Sequence, residues 1–248
     1  MEAGKYADPY GLRFGKLHLW TCAIDETVGG ASLGRLCAVL SPNERERSTR
    51  LRHAVDQRRF VTSHAFVRFA LSQHCAVEAS CWEFGRTAEG KPFIAAPNLG
   101  QMPSFSLSHT EGMATCLIGL SAEAGVDIEK LTHHDDLPLI APSILAAGEL
   151  ESLSSYDGMD WTVRFFQHWT LKEAYAKARG FGLALRPRDI GFEIDVDGEI
   201  RGHFAAALRD DPSSWYFQSH RPSPAHILSL AVPAESNVVF RSFTFEAT

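Results

Sequence analysis

The sequence lacks the features that mark several classes of protein. No apolar run approaches the ~20 residues that cross a bilayer, and the N-terminus has no apolar stretch typical of a signal peptide. The five cysteines are odd in number and include no Cys-x-x-Cys pair, so they indicate reduced thiols and neither a disulfide framework nor a zinc site. We therefore expect a cytoplasmic protein that does not contact a membrane.

A surplus of positive charge is also missing. The formal net charge of −6 argues against a general nucleic-acid binder, because binding to a phosphate backbone requires a basic surface. Residues 41–60 are the exception, since six arginines there stand against three acidic residues. Such a run is typical of a solvated helix face, and any site for phosphate groups has to be local.

What the sequence does contain is an ordered series of predicted helices and short strands. In the first half, Ser41, Pro42 and Glu44 form a helix start with a capping box, and a second helix is predicted over Asp56–His74. Strands are predicted over 16–24, in a hairpin at 81–94, and as a three-stranded antiparallel meander over 103–129.

The second half has the same order. Helices are predicted within 136–180, where Gly180 ends the last one, and strands follow at about 189–205, 215–222 and 225–233. Helices followed by antiparallel strands, twice over, indicate an α+β fold of two similar lobes. We place the boundary near Ser121, which gives lobes of 1–120 and 121–248, although no low-complexity linker marks it.

The segment GVDIEK at 125–130 alternates apolar and acidic side chains. In a strand, Val126 and Ile128 can enter a core while Asp127 and Glu129 lie together on the opposite face. One interpretation is an ordinary strand with a solvated face. The other is that a cation lies between the two carboxylates, which would otherwise repel each other.

A third acidic residue of interest lies in the segment WTLKEAYAK. On a helix, Trp169, Glu173 and Lys177 follow one another at intervals of about one turn and share nearly one face. Glu173 and Lys177 can therefore act at one site. Two simpler interpretations remain open: the pair forms a surface ion pair, or Thr170 and Glu173 form a capping box that starts a new helix.

GVDIEK and WTLKEAYAK together, with Glu173 placed 44 residues after Glu129, resemble the signature of the Sfp-type 4′-phosphopantetheinyl transferase family. The segments GKP at 90–92, FSLSHT at 105–110, SPNERER at 41–47 and RRF at 58–60 also match that family. The resemblance extends over about residues 41–195 and departs from the family's pattern at Ser106 and His64.

The resemblance implies a fold and a reaction. The fold is that of a monomeric enzyme with two pseudo-symmetric lobes, each with helices packed on a small antiparallel sheet, and with the active site in the cleft between them. Such enzymes transfer the 4′-phosphopantetheine moiety of coenzyme A to a serine of an apo acyl, aryl or peptidyl carrier protein and release 3′,5′-ADP. The N-terminal lobe would take the 3′-phosphate and adenine side of coenzyme A, and the C-terminal lobe the metal ion.

The resemblance also implies roles for single residues. Asp127, Glu129 and Glu173 would bind Mg²⁺, for which Mn²⁺ can substitute, and carboxylate oxygens suit such a hard cation. Glu173 would accept the serine proton, directly or through a bound water, and Lys177 would reach the pyrophosphate. The other residues implied to bind coenzyme A are Arg47, Arg59, Lys91, Pro92, Ser108 and His109, together with Asp127.

Two other functions stay open at this point. The segment HHDD at 133–136 is the feature that a metal-dependent phosphohydrolase acting on a nucleotide or coenzyme A would use, although four adjacent polar residues are more typical of a solvated loop. A protein that binds coenzyme A or a carrier without catalysis would lack at least one motif acid, and all three are present.

Overall fold

The computed structural model describes residues 11–24, 30–120, 123–180, 182 and 185–245. The helices are α1 Gly30–Ala38, α2 Pro42–Thr49, α3 Ala54–Ser72, α4 Leu137–Ile144, α5 Ala147–Leu153 and α6 Gly158–Arg179. The strands are β1 Lys16–Ala23, β2 Glu83–Arg86, β3 Pro92–Ala96, β4 Ser104–Thr110, β5 Met113–Gly119, β6 Gly125–Lys130, β7 Ile190–Ile194, β8 Ile200–Phe204, β9 Trp215–Ser223, β10 His226–Pro233 and β11 Asn237–Phe243. Among these described helices, none has both the length and the apolar character needed to cross a membrane.

The chain forms two compact units. The first comprises Met1–Thr87, Pro92–Ser121 and Asn237–Thr248, and the second comprises Ala88–Lys91 and Ala122–Ser236. The predicted lobes of 1–120 and 121–248 therefore differ from these units at two segments, and Ser121 itself lies outside the described residues. The end of the chain belongs to the first unit because β11 pairs in parallel with β1, with Asn237 opposite Lys16.

The first unit is built on a four-stranded sheet in the order β11-β1-β5-β4. Strands β4 and β5 pair antiparallel, as the predicted meander requires. The antiparallel pairing of β1 with β5 and the parallel pairing of β11 with β1 were not predicted. Phe66, Val67 and Leu71 of α3 pack with apolar residues of β1 and β5 in the core of the unit. Strands β2 and β3 form the separate hairpin that the sequence predicts.

Helix α2 begins as the sequence predicts. The Oγ of Ser41 accepts a hydrogen bond from the Glu44 amide over 3.3 Å, and Oε2 of Glu44 accepts one from the Ser41 amide over 2.8 Å. Both bonds of the capping box are therefore formed. Glu44 also pairs with His64 and Arg68 of α3, so one carboxylate joins the two helices.

The second unit has a three-stranded antiparallel sheet in the order β6-β10-β9 and a hairpin of β7 and β8. The predicted meander over 103–129 is wrong in its last strand, because β6 pairs with β10 of its own unit instead of with β5. A turn signal indicates that the chain reverses, and it does not indicate which strand the next segment joins.

Helix α6 forms the centre of the second unit. Its residues Leu171, Ala174 and Tyr175 pack with apolar residues of β7, β9 and β10, while its first half packs with α4 and α5. The helix ends at Gly180, whose φ of 68° lies in the left-handed region that glycine adopts without strain. The predicted helices within 136–180 and the predicted strands beyond 189 are confirmed.

Candidate active site

Strand β6 carries Asp127 and Glu129 on one face. Val126 and Ile128 are fully buried and face the other side of the sheet, which is the predicted alternation. The acidic face is not solvated at Asp127, whose exposed fraction is 4%. The interpretation of GVDIEK as a strand with one solvated face is therefore wrong at Asp127.

Gly125 lets helix α6 approach this acidic face. A Cβ at Gly125 would lie 2.0 Å from the carbonyl oxygen of Ala174 and 2.5 Å from the amide nitrogen of Ala178. Gly125 shares its face of β6 with Asp127, because residues two apart in a strand point the same way. The missing side chain allows α6 to lie directly on the strand. Glu173 and Lys177, in the same turns of the helix, therefore lie near Asp127.

Lys177 of α6 and Asp127 of β6 form an ion pair. Lys177 Nζ donates to Asp127 Oδ1 over 2.6 Å, and 31% of the lysine side chain is exposed against 6% of the aspartate side chain. Burial and the negative charge of Asp127 raise the pKa of the Glu173 carboxyl, and the charge of Lys177 opposes that rise. Two carboxylates and one ammonium therefore meet at this place.

Both simpler interpretations of WTLKEAYAK are wrong. Helix α6 is continuous over Gly158–Arg179, so no new helix begins at Thr170. The Oγ1 of Thr170 bonds within the helix and lies 2.7 Å from the Oγ of Ser229 on β10. Lys177 reaches across to Asp127 on β6, so its role is not confined to an ion pair along the helix surface.

The three predicted metal ligands are brought together in part. Asp127 and Glu173 interact electrostatically, and Glu129 follows on the same face of β6, partly exposed. Across the part of the chain that the structure describes, no group of three or more His, Cys, Asp or Glu side chains is arranged to hold a metal ion. The pair of carboxylates still fits Mg²⁺, because Mg²⁺ commonly takes one or two carboxylates together with phosphate oxygens of a substrate.

The two arginines predicted to bind coenzyme A lie in the first unit, Arg47 on α2 and Arg59 on α3. The Arg47 guanidinium carbon lies 5.4 Å from the ring centroid of Phe60, and a terminal guanidinium nitrogen of Arg59 lies 3.6 Å from Asp56 Oδ1. Arg59 and Phe60 are adjacent in the chain. The structure therefore places both arginines near the first half of α3.

Ser108 and His109 are neighbours in strand β4 of the first unit. Adjacent residues of a strand point to opposite faces, and here Ser108 is buried whereas His109 is exposed. The structure therefore separates two side chains that the resemblance places together. His109 is the one that can meet a ligand from solvent.

Lys91 and Pro92 belong to different units. Pro92 opens β3 of the first unit, whereas Lys91 belongs to the second. Lys91 Nζ donates to the carbonyl oxygen of Ala178 over 2.7 Å, in the last turn of α6. Burial lowers the pKa of Lys91, Glu123 opposes this, and Arg179 adds to it. The structure thus gives Lys91 a partner at the C-terminal end of a helix, where a cation is favoured, and the resemblance did not predict this contact.

The segment 133–136 is an exposed loop, as its composition predicts. His133 Nδ1 lies 3.1 Å from the Oγ1 of Thr162, and its Nε2 lies 3.8 Å from Asp135 Oδ1. The side chains of His133 and Asp135 are both largely exposed to solvent. The segment therefore offers no support for a phosphohydrolase site.

Sequence reasoning missed a polar network at the end of α6. The Tyr175 hydroxyl donates to Asp210 Oδ2 over 2.6 Å, Trp215 Nε1 donates to the same oxygen over 3.0 Å, and Arg179 Nε lies 3.4 Å from it. Burial, together with the contact to Asp210, raises the pKa of Tyr175, so the phenol keeps the proton that it donates. Asp210 lies far from α6 in sequence, and no spacing signal could have found it.

Comparisons with known proteins agree on one family. Residues 123–231 match the model of the 4′-phosphopantetheinyl transferase superfamily, and residues 30–121 match that of the 4′-phosphopantetheinyl transferase N-terminal region. The 4′-phosphopantetheinyl transferase HetI of Nostoc sp. is 31% identical over 169 residues, which cover 68% of this chain and 70% of the relative. The 4′-phosphopantetheinyl transferase Sfp of Bacillus subtilis is 28% identical over 196 residues, covering 79% of this chain and 83% of the relative. A solved holo-(acyl-carrier-protein) synthase from Bacillus anthracis, in complex with CoA (3′,5′-ADP), is similar over 45% of this chain and 95% of that one, with a TM-score of 0.38 and 21% identity.

Proposed function

The chain belongs to the 4′-phosphopantetheinyl transferase superfamily, and on that premise we propose how its residues carry out the reaction. It is an enzyme of the Sfp type that transfers the 4′-phosphopantetheine moiety of coenzyme A to a carrier protein. In the proposed step, the hydroxyl oxygen of a carrier serine bonds to the phosphorus next to pantetheine. The bond from that phosphorus to the bridging oxygen of the diphosphate breaks, and 3′,5′-ADP leaves. The serine proton needs an acceptor, and the departing phosphate needs a cation.

The observation that carries the assignment is the ion pair of Lys177 with Asp127 beside Glu173. Glu173 is the carboxylate beside this ion pair, and it would accept the serine proton directly or through a bound water. Lys177 is partly exposed and can turn its ammonium group from Asp127 to the diphosphate oxygens. The two residues lie one helical turn apart, so that base and cation can face one substrate.

The acidic residues of the second unit fit a hard divalent cation. Asp127, Glu129 and Glu173 would hold Mg²⁺, or Mn²⁺ in its place, because a dication offsets the burial and the repulsion from Asp127 that disfavour the ionised form of Glu173. When bound, the ion neutralises phosphate oxygens of coenzyme A. Asp127 would orient Lys177 through their ion pair, and Lys177 would bind the diphosphate on the face of α6 that carries Glu173.

We assign the 3′-phosphate and adenine side of coenzyme A to the basic residues of the first unit. Arg47 and His109 are exposed, and Arg59 is partly buried. Pro92 and Ser108 of the first unit and Lys91 of the second complete the set that the family resemblance implies. Coenzyme A carries several negative charges, so an acidic protein has to meet it with local positive charge. We further propose that the enzyme acts as a monomer in the cytoplasm on apo acyl or peptidyl carrier proteins.

The test is intact-mass analysis of apo-carriers from fatty-acid, polyketide and peptide synthases after incubation with the enzyme, coenzyme A and Mg²⁺. We expect at least one carrier to gain one phosphopantetheine group, and Glu173→Gln to suppress that gain. A panel in which no carrier gains mass contradicts the proposal. Breakdown of coenzyme A in the absence of any carrier would instead support a phosphohydrolase, and binding of coenzyme A without turnover would support a binding protein.

A further inference from the structure

Lys172 of α6 is a buried lysine held by groups of the protein. Its Nζ lies 2.7 Å from Glu149 Oε2, donates to the carbonyl oxygen of Pro187 over 3.0 Å, and donates also to that of Ile190. Only 2% of Lys172 is exposed. The lysine therefore ties α6 to the segment that leads into β7 and cannot reach a substrate.

Glu149, in the first turn of α5, is the acidic partner of Lys172. Its Oε2 accepts from the Ala146 amide over 2.7 Å, and its Oε1 accepts from the Phe192 amide over 2.8 Å. The Nδ1 of His168, one turn before Lys172 in α6, lies 3.2 Å from Oε1. Two amides, an imidazole and an ammonium thus converge on one carboxylate. We call Glu149, His168 and Lys172 the α6 anchor.

The α6 anchor lies directly before the proposed active site. Lys172 precedes Glu173, and successive side chains diverge by ~100° around a helix, so the two residues serve different sides of α6. On the β6 side, Gly125 lets the backbone of Ala174 approach the strand. On the β7 side, Lys172 binds the carbonyl oxygen of Ile190. Rotation and sliding of α6 are therefore restrained from two sides.

We infer that Glu149 and Lys172 are positioning residues for phosphopantetheine transfer. They fix the rotation and height of α6, and they thereby place the Glu173 carboxylate and the Lys177 ammonium. The inference rests on the proposed function, because it assigns a consequence for the transfer step. Productive geometry at a reacting centre has to hold to within about 0.5 Å, so a small shift of the helix is enough to lower the rate.

The first unit contains a matched arrangement that serves as the control. Arg68 of α3 pairs with Glu44 and donates to the carbonyl oxygens of Ala79 and Trp82, which begin and follow a short 3₁₀ helix. The two carbonyl acceptors of Lys172 are placed in the same way, because Pro187 begins a short 3₁₀ helix and Ile190 follows it. The residue after Arg68 is Phe69, which carries no reacting group. Loss of charge at Glu44 therefore disturbs a comparable buried pair without touching α6.

The experiment compares Glu149→Gln with Glu44→Gln, which remove one buried charge each and keep the side-chain shape. Both should lower Tm. Only Glu149→Gln should lower kcat, by about 10- to 100-fold, with KM for coenzyme A unchanged. Glu149→Gln should also weaken Mn²⁺ binding, measured by electron paramagnetic resonance without coenzyme A or carrier, whereas Glu44→Gln should leave it unchanged.

A second pair of variants covers the case in which Glu149→Gln does not fold. Glu149→Gln with Lys172→Met removes both charges together, as does Glu44→Gln with Arg68→Met, and such joint removal is tolerated better than loss of one partner. The inference is overturned if the α6-anchor variants and the Glu44–Arg68 variants lose kcat equally. It is also overturned if a folded α6-anchor variant keeps its kcat and its affinity for Mn²⁺. If the wild type modifies no carrier and Mn²⁺ affinity still falls only in the α6-anchor variant, the proposed function fails while the positioning of the carboxylates stands.

Discussion

Helices α3 and α6 share one buried arrangement and differ at the residue that follows it. In each helix a cation, Arg68 or Lys172, meets a glutamate from the first turn of a short helix. A histidine one turn earlier lies beside the same glutamate in both units. The next residue is Phe69 in α3 and Glu173 in α6. The two units therefore share the buried contacts of the helix, and they differ in the side chain that follows the cation.

The two positions have opposite surroundings. The ring of Phe69 stacks on that of Phe243 with the centroids 6.1 Å apart and meets Phe245 edge-on at 6.0 Å, so it belongs to an aromatic core. Glu173 instead lies in the field of Asp127 and Lys177. The same buried arrangement therefore occurs twice, once followed by an apolar residue and once by the proposed reacting group.

The largest expected effect comes from removing the acids of the second unit. We expect Glu173→Ala and Asp127→Ala to slow carrier modification by at least about 100-fold, because they remove the proton acceptor and a metal ligand. Glu129→Ala should cost less, since water can replace one ligand of an ion that keeps several. EDTA should reproduce these losses in the wild type.

The control for these variants is Phe69→Leu, which changes the matching position of α3. It should lower Tm and leave the rate near that of the wild type. Carrier modification followed by mass spectrometry, with circular dichroism to confirm folding, measures both effects. Near-normal rates for Glu173→Ala and Asp127→Ala in saturating Mg²⁺ contradict the assignment of chemistry to the second unit.

The next effect concerns the close approach of α6 to β6. Gly125→Ala forces a methyl group onto the Ala174 carbonyl oxygen, and backbone atoms cannot yield as a flexible side chain does. We expect a loss of about 1–3 kcal/mol in the free energy of unfolding and a fall in kcat. Gly148→Ala in α5 is the matched control, because its Cβ would meet nothing within 4 Å, and it should not destabilise the protein. Equal thermal stability of the two variants argues against tight contact at Gly125.

The next prediction concerns how the contribution of Glu44 to the free energy of unfolding depends on pH. Burial opposes the ionisation of Glu44, but hydrogen bonds from His64 and the Ser41 amide and the charge of Arg68 lower its pKa from 4.5 to about 2. A carboxyl whose pKa is lowered by folding stabilises the fold above its unfolded pKa, and this contribution is lost as the pH falls towards 2. The shift corresponds to about 3 kcal/mol.

The measurement is the free energy of unfolding of the wild type and of Glu44→Gln from about pH 6 to about pH 2. The gap between the two curves should close as the pH falls, because the variant has no charge to lose. Folding also lowers the pKa of Glu149, so both the wild type and Glu44→Gln lose further stability as the pH falls. This loss is common to the two curves, and only the difference between them reports on Glu44. A gap that stays constant with pH contradicts the role of ionised Glu44.

The last effect concerns the basic residues of the first unit. Arg47→Ala or His109→Ala should lower kcat/KM with coenzyme A by about 10- to 150-fold, because each removes a charge-assisted hydrogen bond of about 1.5–3 kcal/mol to the 3′-phosphate. With dephospho-coenzyme A, kcat/KM should start low and change little. Lys91→Ala tests whether a residue binds the phosphate or supports the structure, since Lys91 also donates to the Ala178 carbonyl oxygen. Equal losses on both substrates mean that a residue supports structure and does not read the phosphate.

The sequence predicts the local parts of this structure well. The capping box at Ser41 and Glu44, the end of α6 at Gly180 and the faces of β6 all follow from rules that link residues a few positions apart. The pairing of β1 with β11 and of β6 with β10 does not follow from such rules, because it joins segments distant in sequence.

The same limit applies to the candidate site. The spacing of Glu173 and Lys177 places them on one helix face, and the family resemblance adds Asp127 and Glu129. Burial of Asp127 and its pairing with Lys177 depend on Gly125, whose role is visible only when the helix lies on the strand. The α6 anchor was not predicted either, since Lys172 and Glu149 have no sequence signal that joins them.

The most direct test of the central claim is the stoichiometry of transfer. Apo-carrier, coenzyme A and Mg²⁺ are incubated with the wild type and with Glu173→Gln, and both 3′,5′-ADP and modified carrier serine are quantified over time. The account predicts one 3′,5′-ADP for each modified serine with the wild type and neither product with Glu173→Gln. Release of 3′,5′-ADP without carrier modification, or transfer by Glu173→Gln at the wild-type rate, would contradict it.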